Sequence, residues 1–139
     1  MEYQKGQHTL YLLQYHLIFV TNRAKEVFDE EISSFIIKHS QYLLGRWNGE
    51  LIKAEVRSNH VRLWITLPPN SNISVVVRSL KTQLSKEIKA TYKEKLRLHY
   101  KDDDPLWSNT YFAATFGSIS EAVAEEYIQS QKIKKRRNN

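Results

Sequence analysis

His60 and Arg62 stand two residues apart in a strand-like segment, and Tyr127 and Gln131 stand four residues apart near the C-terminus. These are the side chains with chemistry to offer. An imidazole can donate, accept or bind a metal, and it changes charge near neutral pH. A guanidinium is a fixed cation with donors only. Each also has a plainer reading. A histidine beside a turn is ordinarily hydrogen-bonded surface, Tyr127 an amphipathic anchor, and Gln131 a solvated helical residue. Distance along the chain does not say whether the four meet.

The elements that must position them can be read from periodicity. Segment 51–69, LIKAEVRSNHVRLWITLPP, reads as two strands joined at the polar turn Arg57-Ser58-Asn59, with His60 opening the second. Strand side chains alternate between faces. His60, Arg62, Trp64 and Thr66 therefore share a polar face, and Val61, Leu63, Ile65 and Leu67 an apolar one that requires a core. Pro68 and Pro69 close the strand.

Segment 10–21, LYLLQYHLIFVT, carries another strand signal, with Tyr11, Leu13, Tyr15, Leu17 and Phe19 toward the core and Gln14 and His16 on the mixed face. Residues 1–8 read as a loose lead-in. Asp29 is the expected N-cap of a helix to about residue 44, with Glu30 and Glu31 in its first turn. Ile32, Phe35, Ile36, His39, Tyr42 and Leu43 recur at helical spacing, and Gly45 and Asn48-Gly49 end the run.

A second helix, capped by Asn72 or Ser74, is expected to reach about residue 95. Its apolar stripe is Ile73, Val76 or Val77, Leu80, Leu84, Ile88 and Tyr92. Arg78, Lys81, Ser85 and Lys89 line a neighbouring flank, either a solvated face or a phosphate-facing ridge. The loop 99–106 holds three successive aspartates, whose spacing is not that of a calcium loop. Segment 107–117 contains a fourth strand, with Phe112, Ala114 and Phe116 alternating against Tyr111, Ala113 and Thr115. The capping-box pattern Ser118-Ile-Ser-Glu121 launches a last helix to about residue 134, anchored by Ala124 and Ile128.

The order β-α-β-β-α-β plus a helix predicts an α+β, ferredoxin-like split βαβ sandwich. Two helices cover one face of a four-stranded antiparallel sheet, and the other face is left for function or another subunit. Nothing suggests a second domain, so residues 1–139 read as one, with a basic tail over 132–139.

Composition narrows the classes. With 139 residues, 41% apolar and 26% charged, this is a folded chain with a real core. No apolar run reaches membrane-spanning length. The opening MEYQKGQHTLYLL lacks a basic leader followed by an apolar stretch, so a cytoplasmic protein is expected. Absence of cysteine excludes disulfides, thiolate catalysis and Cys-ligated zinc. Net charge is +6, but Lys132, Lys134, Lys135, Arg136 and Arg137 supply five of those charges; without them 16 basic residues face 15 acidic ones. Attraction to phosphates on charge alone therefore rests mainly on the tail.

Four ordered motifs run over nearly the whole chain: Tyr15-His16-Leu17-Ile18-Phe19; Glu55-Val56-x-x-Asn59-His60-Val61-x-Leu63; Trp107-Ser108-x-x-Tyr111-Phe112; and Tyr127-Ile128-x-x-Gln131. Together they resemble the small single-tyrosine transposases of the IS200/IS605 type, within the nucleases marked by a His-hydrophobic-His strand. The resemblance implies homodimers that bind hairpin-forming single-stranded transposon ends. It implies cutting and rejoining through a 5′-phosphotyrosine, with Mg²⁺ or Mn²⁺. It makes Tyr127 the nucleophile, His60 the first metal-binding histidine and Gln131 a helix-borne metal ligand.

One departure matters. Arg62 stands where the second histidine belongs, and Asn59 replaces the aspartate usual before the first. A guanidinium cannot be an ordinary metal ligand and repels a divalent cation. Two outcomes follow: a relative that binds DNA with cleavage weakened or lost, or one in which Arg62 clamps the phosphate itself. The expected DNA contacts are Arg23, Lys25, Arg78, Lys81, Lys89, Lys132, Lys134 and Lys135, and Trp64 reads as a base-stacking residue or as packing. The alternative class is a noncatalytic nucleic-acid-binding module on the same fold. An RNA-binding version fits less well, because His16, Arg62 and Trp64 do not form its aromatic pairs.

Overall fold

The computed structural model describes residues 13–115 and 121–137. The lead-in, Tyr11, Phe116 and the Ser118 end of the capping box lie outside the described residues, as do the side chains of Lys134 and Lys135. The elements run β1 (Leu13–Val20), α1 (Glu30–Gly45), β2 (Glu50–Arg57), β3 (His60–Leu67), α2 (Ile73–Thr91), α3 (Lys93–Arg97), β4 (Phe112–Thr115) and α4 (Glu121–Arg137), with a 3-10 turn at Asn22–Ala24. The sheet order is β2-β3-β1-β4, antiparallel throughout, as the split βαβ pattern requires.

The helical layer forms as its periodicity dictates. Asp29 accepts a hydrogen bond from the Ile32 amide at 2.9 Å, and Ile32, Ile36, Leu43 and Leu44 are buried. Tyr42 is not: it is 67% exposed, because it lies about 100° around the helix from Leu43. Gly49 is required where the chain leaves α1. A Cβ there would lie 2.6 Å from the Thr66 carbonyl oxygen and 2.9 Å from Leu67 Cδ2.

Asn72 caps α2 by accepting from the Val75 amide at 3.2 Å. The expected single helix to residue 95 is instead broken at Tyr92 (φ −119°, ψ 36°). The Tyr92 ring meets Phe35 edge-on at 5.2 Å, and Lys95 bridges Asp29 at 2.7 Å and Glu31 at 2.6 Å. The break turns α3 back onto the start of α1.

Under these helices lies the main core, with Leu17 and Phe19 of β1, Val61, Leu63, Ile65 and Leu67 of β3, and Leu80, Leu84 and Ile88 of α2. The opposite face is not left open. There α4 buries Ala124 and Ile128 on Ile18, Val20 and Ala24, so β1 is covered on both sides. To receive it, Arg23 and Ala24 adopt left-handed backbone (φ 58° and 53°), a conformation non-glycine residues rarely take. The cost is offset by the burial of Ala24 beneath α4 and by the Ala24 amide donating to the Thr21 carbonyl at 2.8 Å.

Candidate functional site

The β2–β3 turn is fixed from outside. The Thr21 amide donates to the Asn59 carbonyl at 3.0 Å, and the Val27 and Phe28 amides both donate to that of Ser58 at 2.9 Å. His60 therefore starts β3 from a rigid point. Its Nδ1 lies 2.8 Å from Asn59 Oδ1, an oxygen that only accepts, so Nδ1 carries the proton and Nε2 presents its lone pair. Burial first, then Arg62, Arg57 and Lys132, push the imidazole pKa down to about 4, with Glu55 opposing. His60 is neutral at physiological pH.

On the same face the register pairs Arg62 with Ile18 and Trp64 with His16. Arg62 is only 6% exposed. Its Nε donates to His16 Nε2 at 3.2 Å, and Nη1 lies 3.9 Å from Glu55 and 3.8 Å from Glu125. Trp64 is enclosed by stacking on His16 (4.4 Å, 9°), with Lys53 Nζ 4.8 Å and the Arg62 guanidinium carbon 5.0 Å from its ring centre. Of the two readings for Trp64, packing describes it. Its ring is met by His16 from β1, Lys53 from β2 and Arg62 two residues earlier on its own strand.

Helix α4 lies along β1 with different chemistry on each flank. Glu125 faces β3 and its arginine, and the Lys132 charge acts on His60 from the same side. Tyr127 faces β4: its ring packs on Phe112 at 5.7 Å and its hydroxyl lies 3.0 Å from Thr110 Oγ1. Burial raises the phenol pKa, against hydrogen bonds from Thr110 and Ser108 that lower it. Gln131 is 7% exposed, on the buried side of the helix. The sheet thus brings His60 and Arg62 together and sets Tyr127 on the far side of β1, about 10 Å away at ordinary strand spacing.

Arg62 does not fit the second-ligand position of a divalent metal site. The carboxylates nearest the position, Glu55 and Glu125, are turned to the Arg62 guanidinium at 3.9 and 3.8 Å. His60 offers one nitrogen and Gln131 one amide oxygen, while Arg62 offers only hydrogens and positive charge. Among the described residues no group of three or more His, Cys, Asp or Glu side chains converges.

The expected DNA cations divide. Arg78 is exposed on α2. Lys25 Nζ donates to the His99 carbonyl at 2.8 Å, Lys81 to those of Ser108 and Thr110 at 2.9 and 3.2 Å, and Lys89 to that of Asp104. Arg23 pairs with Asp104 at 3.5 Å. Four of the eight thus fasten the chain between α3 and β4. Lys132 is half-buried beside the histidine. Sequence reading missed Glu125 and Thr110. Nothing marks Glu125 among the glutamates of a solvated helix, and Thr110 lies in a loop without periodicity.

A family described as "Transposase IS200 like" matches residues 9–131. The ISDra2 transposase TnpA of Deinococcus radiodurans is 28% identical over 134 residues, covering 94% of this chain and 92% of that protein. A crystal structure from Deinococcus radiodurans R1 superposes with a TM-score of 0.82 at 24% identity, over 92% of this chain and 97% of that one. A REP-associated tyrosine transposase bound to a REP hairpin gives a TM-score of 0.50 at 13% identity, over 88% and 68% of the two chains. These two structures share the fold. No helix among the described residues is long and apolar enough to cross a membrane. The chain belongs to the IS200-like transposases, a family that cuts and rejoins single-stranded DNA.

Proposed function

We propose that this transposase acts on hairpin-forming single-stranded ends with Tyr127 as its nucleophile. In this reading Arg62 takes, at the scissile phosphate, the electrostatic role that the family resemblance gives to Mg²⁺ or Mn²⁺. The observation that carries the reading is the placement of Arg62: a buried guanidinium beside a neutral His60, on the face that α4 crosses. Phosphoryl transfer depends on charge stabilisation and positioning, and a guanidinium fork matches a phosphate geometrically. It is also a permanent cation needing no ligands of its own.

In the reaction a bond forms between Tyr127 Oη and phosphorus as the bond from phosphorus to the 3′ oxygen breaks. The phenol loses its proton and the leaving 3′ oxygen gains one. Rejoining reverses both changes, so the covalent intermediate conserves the phosphodiester energy. His60, with Nε2 as acceptor, is the group on this face suited to receive a hydrogen bond or proton. Arg78 and the tail with Lys132, Lys134 and Lys135 supply sequence-independent attraction to the backbone. A homodimer belongs to the same proposal, since Tyr127 must reach an Arg62, of its own chain or of a second copy.

A noncatalytic DNA-binding role is the second reading, and one observation favours it: Tyr127 is hydrogen-bonded to Thr110 across β1 from Arg62. Incubating the protein with hairpin single-stranded DNA, with chelator or with Mn²⁺, separates the two. The proposal expects a covalent adduct in chelator, lost in Tyr127→Phe. No adduct under either condition, with hairpin binding intact, would establish the noncatalytic role.

A further inference from the structure

Lys81 lies on the α2 flank where a phosphate-facing ridge was expected, yet its surroundings are internal. The ammonium donates to two carbonyls of one short segment, Ser108 and Thr110, and lies 5.9 Å from the Tyr111 ring centre. The Lys81 carbonyl in turn accepts from Trp107 Nε1 at 3.0 Å, and the Ser108 amide donates to the Val20 carbonyl at 2.8 Å. Residues 107–111 are therefore fastened to α2 at one side and to the end of β1 at the other. Burial lowers the Lys81 pKa, which is the signature of an ammonium drawn out of water. Two carbonyl acceptors compensate that desolvation. Arg78, three residues earlier on the same helix, is exposed.

The fastened segment faces Tyr127, whose phenol is hydrogen-bonded by Thr110 and Ser108. Thr110 Oγ1 meets the Tyr127 hydroxyl at 3.0 Å, and the phenol ring rests on Phe112 at the start of β4. We propose that Lys81 is a positioning residue for Tyr127: by holding the Ser108 and Thr110 carbonyls it fixes the threonine hydroxyl that holds the phenol, and it makes no phosphate contact. The catalytic consequence rests on the reading of Tyr127 as nucleophile; the positioning does not.

The test compares Lys81→Met with Arg78→Met. The ring resonances of isotope-labelled tyrosines are recorded, with Tyr127→Phe identifying the relevant one. Binding of hairpin single-stranded DNA is measured across salt. Lys81→Met is expected to shift the Tyr127 resonance, leave the salt slope unchanged and slow adduct formation by roughly 10- to 100-fold through misplacement. Arg78→Met is expected to leave the resonance in place and reduce the salt slope by about 0.7, one phosphate's worth.

Thr110→Val should shift the same resonance with Lys81 intact, and Thr110→Ser should restore it, which keeps the test valid if Lys81→Met loosens the fold. A Lys81→Met protein with reduced salt slope and an unmoved Tyr127 resonance would overturn the proposal. So would a Thr110→Val protein with that resonance unmoved. Absence of any adduct in the parent protein would sink the nucleophile reading alone, with the resonance comparison still deciding the role of Lys81.

Discussion

The two flanks of α4 are built from opposite materials. Toward β3 lie charges: Arg62 with Glu55 and Glu125, and Lys132 near enough to act on His60. Toward β4 lie neutral groups: a phenol, a threonine hydroxyl and the Phe112 ring, with the charge of Lys81 confined to two carbonyls behind them. In the proposed reading the charged flank stabilises the phosphate in transit and the neutral flank carries the nucleophile. The helix between them is anchored by two small apolar contacts, Ala124 and Ile128. Cation and phenol are thus kept apart by one strand, and the proposed reaction requires motion of α4 or a second copy of the chain to close that gap.

The comparison breaks most visibly at Arg62. Arg62→Gln removes the fixed cation, and adduct formation should fall by about 100-fold, the usual loss when one preorganised charge donor is removed. The Tyr127 ring resonance should stay in place, because the neutral flank is held independently. A simultaneous shift would show that the flanks are coupled.

A smaller effect concerns His60, whose folded pKa of about 4 lies below its ordinary 6.5. Between those values the unfolded chain binds the extra proton and the folded one does not, so stability falls as pH drops through that window. With the ring partly exposed, solvent screening reduces the loss to about 1–2 kcal/mol. Urea midpoints at pH 7 and pH 4.5, without added metal, should show it, and His60→Gln should remove it. No acid-linked loss on the neutral flank is expected, since its phenol stays protonated throughout.

The smallest effect is at Glu125, whose side chain is 53% exposed. In the proposed reading its carboxylate, 3.8 Å from Arg62 Nη1, competes with an incoming phosphate for that guanidinium. Glu125→Gln should tighten hairpin DNA binding by roughly two- to fivefold at low salt, converging with the parent at high salt. Weaker binding would mean that Glu125 orders the arginine and does not compete for it.

Much of this geometry was written in simple periodicities. Period two placed His60, Arg62 and Trp64 on one face, and the strand order with its short turn fixed the sheet. Asp29 and Asn72 announced two helix starts. The position of α4 was harder, because it buries few apolar residues in a charged helix. The signal lay elsewhere, in Leu17-Ile18-Phe19-Val20: four consecutive apolar residues mark a strand covered on both faces. The break at Tyr92 and the internal use of Lys25, Lys81 and Lys89 had no sequence signal. They depend on which loop carbonyls happen to come within reach of a lysine, and composition reads every such lysine as solvated.

The central claim is that a guanidinium stands where a divalent cation would be held. Titrating Mn²⁺ into the protein, with electron paramagnetic resonance reporting free ion, tests it directly. The account predicts no binding lost in His60→Ala, and a new site in Arg62→His, which restores a second imidazole beside the first. Stoichiometric Mn²⁺ bound by the parent protein and released by His60→Ala would contradict it.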